Sequence, residues 1–359
     1  MIQIQKYKCI EAFSNSQFSS QKGLLLDFIW IGDEGSSDLG KYLTQCENLE
    51  VLQLYLQKNQ ITQKGIDDLS KGIGSCKNLN NLLIDLRSNF MESEGISYLW
   101  NELANLDKLK NLEIYFSKNG NLDSGLIDFA KGIKSSLNLK NLFIYLQDNN
   151  IGDIGAQGLG QGFKQCQNLE KLVVELSDNN ISNEGVAKLI KGIAKAEHLQ
   201  NLSLFLCHNK IGDEGLSSIG LALGECKHIN KLTLDFSMNE IRSEGVTGFI
   251  QGLKQNINIE YLLLQLGSNN IDDEGLVCLG DGLQQIVNLK ILKIKLFNNS
   301  ISYNSLLQFC RLLQKFSSLN IISLAIDLSF YEQQIVFNFL NKIKKCSRVV
   351  KYELSLNYL

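Results

Sequence analysis

Apolar and polar residues follow two rhythms in this chain, and the rhythms alternate. In "VLQLYLQKNQ" (51–60) every second residue is apolar at first. Leu52, Leu54 and Leu56 therefore share one face of a predicted strand, and Tyr55 sits on the other. Farther on, Val186, Leu189, Ile193 and Ala196 fall three or four apart, which is the stripe of a helix. Strand, turn and helix recur every 30 residues, as in "KLVVELSDNNISNEGVAKLIKGIAKAEHLQ" (171–200). Aligned on the leucines, eleven units run without insertion or deletion from 21 to 350, and the first and last are degraded, as the caps of an array should be. The pattern predicts an N-terminal cap at 1–20, the repeat array at 21–350 and a final strand with a sheet edge at 351–359.

Every full unit carries Asn at one place after the strand: Asn59, Asn89, Asn119, Asn149, Asn179, Asn209, Asn239, Asn269 and Asn299. An Asn amide offers both donor and acceptor. A stacked column of them can satisfy turn groups that no neighbouring strand reaches. Asp153, Asn183, Asp213, Ser243 and Asp273 stand where the helical stripe begins and are predicted helix N-caps.

The composite motif LxLxLxxNxIxxxGxxxLxxGLxxCxNL matches nearly all of 51–300. It resembles the leucine-rich repeat, in the long helical subtype of ribonuclease inhibitor and its relatives. The resemblance implies an α/β solenoid of about eleven strand–turn–helix units. Strands stack about 4.8 Å apart, whereas helices approach no closer than about 8–10 Å. Tying one to the other in each unit predicts a horseshoe with a concave parallel sheet and convex helices. Departures are local: Asn121 stands where Ile is expected, with Leu122 one place late; Ser305 replaces the repeating Gly; Ile29 and Ser329 replace the Asn.

Composition removes several classes of function. With a net charge of −3 and 20% charged residues, no strong field draws nucleic acid or a membrane surface. No stretch approaches 18 apolar residues, and Lys6, Lys8 and Glu11 interrupt the start where a secretory signal needs an apolar run. The expectation is a cytoplasmic protein. Of nine cysteines, Cys46, Cys76, Cys166, Cys226 and Cys346 share one repeat position, spaced too widely for disulfides, and read as reduced core residues.

"GLGQG" (158–162) looks like a phosphate cradle. Yet glycines recur near each helix start (Gly155 to Gly275) and within the helix (Gly72, Gly132, Gly162, Gly192, Gly252, Gly282), as sites of close approach, and no GxxxxGK[ST] exists. His198 and His228 hold one position in adjacent units but lack further metal ligands, and three histidines leave little room for a hydrolytic triad. No cofactor, metal or catalytic residue is expected. "KIKKCSRVVK" (342–351) reads as polar cover on the last unit.

The strand face opposite the leucines is less easily dismissed. Water would be met by polar residues alone. Instead Tyr115, Phe143, Tyr145, Val173 and Phe205 lie on consecutive strands with Leu83 and Tyr55 nearby, and Asp85, Glu113 and Glu175 surround them. Aromatic anchors ringed by charge are the composition of an interface hot spot. Tyr55, Leu83, Asp85, Tyr115, Phe143, Tyr145, Val173, Glu175, Phe205 and Asp235 are the predicted partner-binding residues. The carboxylates are too dispersed for paired acid–base chemistry.

The expected function is a non-catalytic protein–protein interaction scaffold. It would bind a segment with basic and apolar residues, with a further contact at the C-terminal sheet edge. The alternative comes from the resemblance: a family with this repeat subtype activates the small GTPase Ran from the rim of its horseshoe. Only Arg87, Arg242, Arg311 and Arg348 exist here to serve such a role, without the inserted loop or acidic tail that the resemblance implies. Ribonuclease inhibitor itself is richer in cysteine and acid. The chain has no proline and uses Asn, Gln, Lys and Ile heavily. In this it resembles leucine-rich-repeat proteins of ciliated protists, and the resemblance implies a structural subunit of a ciliary or other large complex.

Overall fold

The computed structural model describes residues 2–133, 138–313, 315–316 and 318–326. They form two compact units: the chain up to Asn180 with Lys191–Leu199, and Ile181–Ile190 with the chain from Gln200 onward. The final strand at 351–359 and its edge, the basic run at 342–351, Ser329, Cys346 and Arg348 lie outside the described residues.

In the first unit seven strands pair in chain order, all parallel: β1 (Gln5–Tyr7), β2 (Gly23–Asp27), β3 (Val51–Tyr55), β4 (Asn81–Asp85), β5 (Asn111–Tyr115), β6 (Asn141–Tyr145) and β7 (Lys171–Glu175). The second unit repeats the plan with β8 (Asn201–Phe205), β9 (Lys231–Asp235), β10 (Tyr261–Gln265), β11 (Ile291–Lys295) and β12 (Ile321–Ala325). Helices alternate with the strands, so the fold is α/β, an array of strand–turn–helix repeats. Leu52, Leu54, Ile84 and Leu112 on the strands are fully buried, as are Ile66, Leu69 and Ile73 on a helix. Each such side chain contributes about 1.5–3 kcal/mol. A one-residue slip would turn the whole inward column to water, which fixes the register.

The register corrects one expectation. Leu82 pairs with Leu112, and Leu112 with Leu142, but Gly23 pairs with Val51, two residues short of the period. The missing residues belong to the first turn. Asn59 Nδ2 donates to the Phe28 carbonyl as Asn89 Nδ2 does to that of Leu56, and the Ile31 N–H reaches Asn59 Oδ1 as that of Ile61 reaches Asn89 Oδ1. Phe28 and Ile31 thus hold the places of Leu56 and Ile61. Ile29 does not replace the Asn; the Asn position is absent.

The Asn column forms as its chemistry demands. Asn149 Nδ2 donates to the carbonyls of Phe116 (3.1 Å) and Leu146 (3.0 Å), while its Oδ1 accepts the Asn119 N–H (2.7 Å). The second unit does the same: Asn269 Nδ2 reaches Phe236 and Leu266, and its Oδ1 takes the Ile241 N–H. The residue before each Asn, from Lys58 to Asn298, lies at φ between 54° and 61°. That left-handed conformation is one that Asn, Asp and His tolerate best.

The predicted N-caps are corrected as well. Asp153, Asn183, Asp213, Ser243 and Asp273 open their helices instead of preceding them; four of these helices have Gly152, Gly212, Arg242 and Asp272 as caps. The opening side chain serves the next helix along. Asp213 Oδ1 accepts the N–H groups of Arg242 (2.7 Å) and Gly245 (2.9 Å), and Asp33 and Asp123 do likewise for the helices that follow them. The helix-start glycine follows from this. A Cβ on Gly245 would stand 2.5 Å from Asp213 Oδ1. Where Ser305 replaces that glycine, its hydroxyl instead donates to Asp273 Oδ1 at 2.7 Å.

The unit at 111–140 departs furthest. Its helix is a 3-10 turn at Ser124–Ile127 followed by a single α turn at Phe129–Gly132. Leu122 is fully buried, so the displaced residue remains the anchor. With the anchor one place late, the chain has one residue fewer before Gly125 and winds more tightly. Here the amide column is also interrupted: Asn119 Oδ1 is buried with no donor among the described residues. At the chain start, β1 lies on β2, and Phe13 is buried between the rings of Tyr7 (5.4 Å) and Phe18 (5.2 Å).

Candidate functional site

Each strand sends its first, third and fifth residues away from the buried column, so the outward face has three columns. The first runs Val51, Asn81, Asn111, Asn141, Lys171 in the first unit, the second Gln53, Leu83, Glu113, Phe143, Val173, and the third Tyr55, Asp85, Tyr115, Tyr145, Glu175. Most of these residues are half-buried, while Val173 and Asp85 are buried.

The centre of this face is a stack. The rings of Tyr115 and Tyr145 lie parallel, with centroids 4.4 Å apart. Adjacent parallel strands place equivalent residues about 4.8 Å apart, within the range of centroid separations at which aromatic rings stack, so the register makes the stack. The Tyr115 hydroxyl donates to Glu113 Oε1. Burial, then the Glu113 carboxylate, raise the Tyr115 phenol above its ordinary value; Tyr145 is raised by burial and by Glu113 and Glu175. Lys171 Nζ lies 4.8 Å from the Phe143 ring centroid, a cation–π contact.

The structure changes the role read for Asp85. It is only 2% exposed, and Arg87 clamps it with two nitrogens: Nε at 2.9 Å from Oδ1 and Nη2 at 2.6 Å from Oδ2. The same guanidinium lies 5.2 Å from the Tyr115 ring centroid. Asp85 raises the pKa of Arg87 further, through the hydrogen bond and its charge. Asp85 is therefore an internal counter-ion that holds Arg87 on the stack, not a free charge on the rim of the aromatics. Arg87, the arginine at the end of a strand, is committed to Asp85. The pair could have been read from "DLR" (85–87), since residues two apart at a strand end share a face.

Phe205 and Asp235 belong to the second unit. Phe205 is half-buried on β8, and Asp235 Oδ2 accepts from Gln265 Nε2 at 2.8 Å. Tyr55 and Leu83 are half-buried on β3 and β4, and Glu175 Oε1 accepts the Ser177 N–H at 2.8 Å. Sequence reasoning missed the first outward column. Asn141 Nδ2 donates to Asn111 Oδ1 (2.6 Å), and Asn111 Nδ2 to Asn81 Oδ1, forming a second amide ladder at the start of the strands. Its signal was available, since the three asparagines are one period apart.

Among the described residues no group of three or more His, Cys, Asp or Glu could hold a metal ion, and no helix is long and apolar enough to cross a membrane. The thiols of Cys46, Cys76 and Cys166 are pushed up by burial to about 12, about 11 and about 12.

A family model described as Leucine Rich repeat matches residues 143–160, 165–189, 196–220, 228–249 and 261–280. These are leucine-rich repeats. Each matched stretch takes in part of a strand–turn–helix unit, and the described residues on either side repeat the same unit. Among solved structures, the crystal structure of the Rad7 and Elc1 complex in yeast is similar at 15% identity, over 90% of this chain and 82% of that one, with a TM-score of 0.39. No curated protein matches the sequence.

Proposed function

We propose that the chain is a non-catalytic protein–protein interaction scaffold. A partner segment would lie on the outward sheet face of the first unit, against Tyr55, Leu83, Tyr115, Phe143, Tyr145, Val173 and Glu175, with Asp85 positioning Arg87 beneath it. Phe205 and Asp235 are the contacts proposed on the second unit. One observation carries the reading: a parallel tyrosine stack with a phenylalanine beside it, on a rigid sheet, at the face that packing leaves open. Preformed aromatic anchors lose little ordering entropy on binding. The acidic character of the face comes from Glu113 and Glu175, since Asp85 is neutralised by Arg87, and it favours a basic and apolar segment.

The 30-residue unit with a full helix favours the ribonuclease-inhibitor-like subtype. Absence of proline and heavy use of Asn, Lys and Ile favour an AT-rich genome such as a ciliated protist's, and a cytoplasmic or ciliary subunit of a large complex. Affinity capture or proximity labelling with the wild type, Tyr145→Asp and Phe205→Asp is the test. Loss of one common partner from a variant whose melting is unchanged supports the reading; identical partner sets from all three proteins overturn it.

A further inference from the structure

Beside the tyrosine stack, the first unit has a hollow of about 250 Å³, lined by Val51, Gln53, Leu83, Glu113 and Phe143 and by the amides Asn81 and Asn111. Its lining combines two kinds of chemistry. Leu83 and Phe143 are apolar. Glu113 gives one carboxylate oxygen to the Tyr115 hydroxyl, and its other oxygen has no donor among the described residues. Neither cation close to this face is spent on Glu113, since Arg87 is clamped by Asp85 and Lys171 is held on the Phe143 ring. The amide ladder ends at Asn81, whose amide nitrogen has no acceptor among the described residues.

We propose that this hollow receives a lysine or arginine side chain from an extended segment of the partner protein. The stem lies along Leu83 and Phe143, and the cationic head meets the unused oxygen of Glu113. Long basic side chains bury apolar stems while keeping the charge on a polar group, which is the division of chemistry this hollow offers. A purely apolar side chain would desolvate Glu113 without a match, and an acidic one would face like charge. Asn81 is left to donate to a carbonyl of the same segment. The proposal rests on the sheet-face reading above and adds which side chain is read there.

The test is a positional-scanning array of synthetic 12-residue peptides, probed with the purified full-length protein and with Glu113→Lys, Glu113→Gln and Tyr145→Asp. The wild type is expected to retain peptides with Lys or Arg at one fixed position beside an apolar residue. Glu113→Lys should turn that single position to Asp or Glu and leave the others unchanged; Glu113→Gln should weaken the best peptide about tenfold. A preference for apolar or acidic residues at that position, or a basic preference that survives Glu113→Lys while Tyr145→Asp loses the peptides, overturns the assignment of the hollow alone. If the wild type retains no peptide, or Tyr145→Asp retains the same ones, the sheet-face reading falls and this proposal with it. Matched thermal melts of all four proteins establish that the fold is intact.

Discussion

The outward faces of the two units differ although their frames do not. β3 to β7 and β8 to β12 are all five residues long, with their second and fourth residues buried. In the first unit the middle outward column includes Leu83, Phe143 and Val173, and the next includes Tyr55, Tyr115 and Tyr145. In the second unit the same columns read Ser203, Thr233, Leu263, Lys293 and Phe205, Asp235, Gln265, Lys295. There the polar groups answer one another: Gln265 binds Asp235, and Lys231 lies 5.0 Å from the Tyr261 ring centroid. Packing dictates the inward columns and leaves the outward ones free to differ, so what the two faces can bind would differ through those columns.

The largest expected effect tests the shared frame. Asn149→Ala removes three hydrogen bonds to buried backbone groups and should cost about 3–5 kcal/mol, read as an early shift of the urea midpoint. Next comes the contrast between faces. Tyr145→Asp should weaken partner binding about a hundredfold and lower the stability by about 1 kcal/mol or less, while Gln265→Asp on β10 should change binding less than about twofold. Equal losses from both would erase the distinction.

Titration separates the first unit's stack from an ordinary surface. Folding favours the neutral phenols of Tyr115 and Tyr145, whose values are raised. The stability they contribute is whole below the ordinary tyrosine value of about 10 and is lost as pH rises through the raised values. Phenolate absorbance near 295 nm should lag for these two, and Glu113→Gln should reduce the lag. Thiol labelling at about pH 8 should find exposed Cys9 and spare Cys46, Cys76 and Cys166 until the chain unfolds. The smallest effect is Met238→Asn, which eases a left-handed residue at φ 55° and should stabilise the second unit by a few tenths of a kcal/mol.

Periodicity made the frame legible. Buried leucines, the Asn column and helix-interior glycines such as Gly252, where a Cβ would strike the Gly220 and Leu221 backbone, all repeat because the same contact repeats. What escaped was whatever broke the period or crossed it. "GLLLD" (23–27) offers leucines to either register, so the two-residue deletion after β2 left no trace in the alternation. An Asp at a helix start ordinarily caps its own helix. Only the close approach of the next helix, made by glycine, lets Asp213 reach across. Asp85 looked like a surface charge because its alternation placed it outward; the same alternation puts Arg87 on that face, but it does not report that the guanidinium closes over the carboxylate and buries it.

The turns carry a consequence for synthesis. Asn89 Oδ1 takes the N–H groups of Asn59 and Ile61, from the repeat before it. A repeat leaving the ribosome therefore cannot close its own turn until the asparagine some thirty residues later has emerged. The nascent chain must lock in from behind, one step late, like a row of tiles each pinned by its successor. Where Asn119 Oδ1 goes unused that pin is missing, and a translational pause there would leave the preceding turn without it.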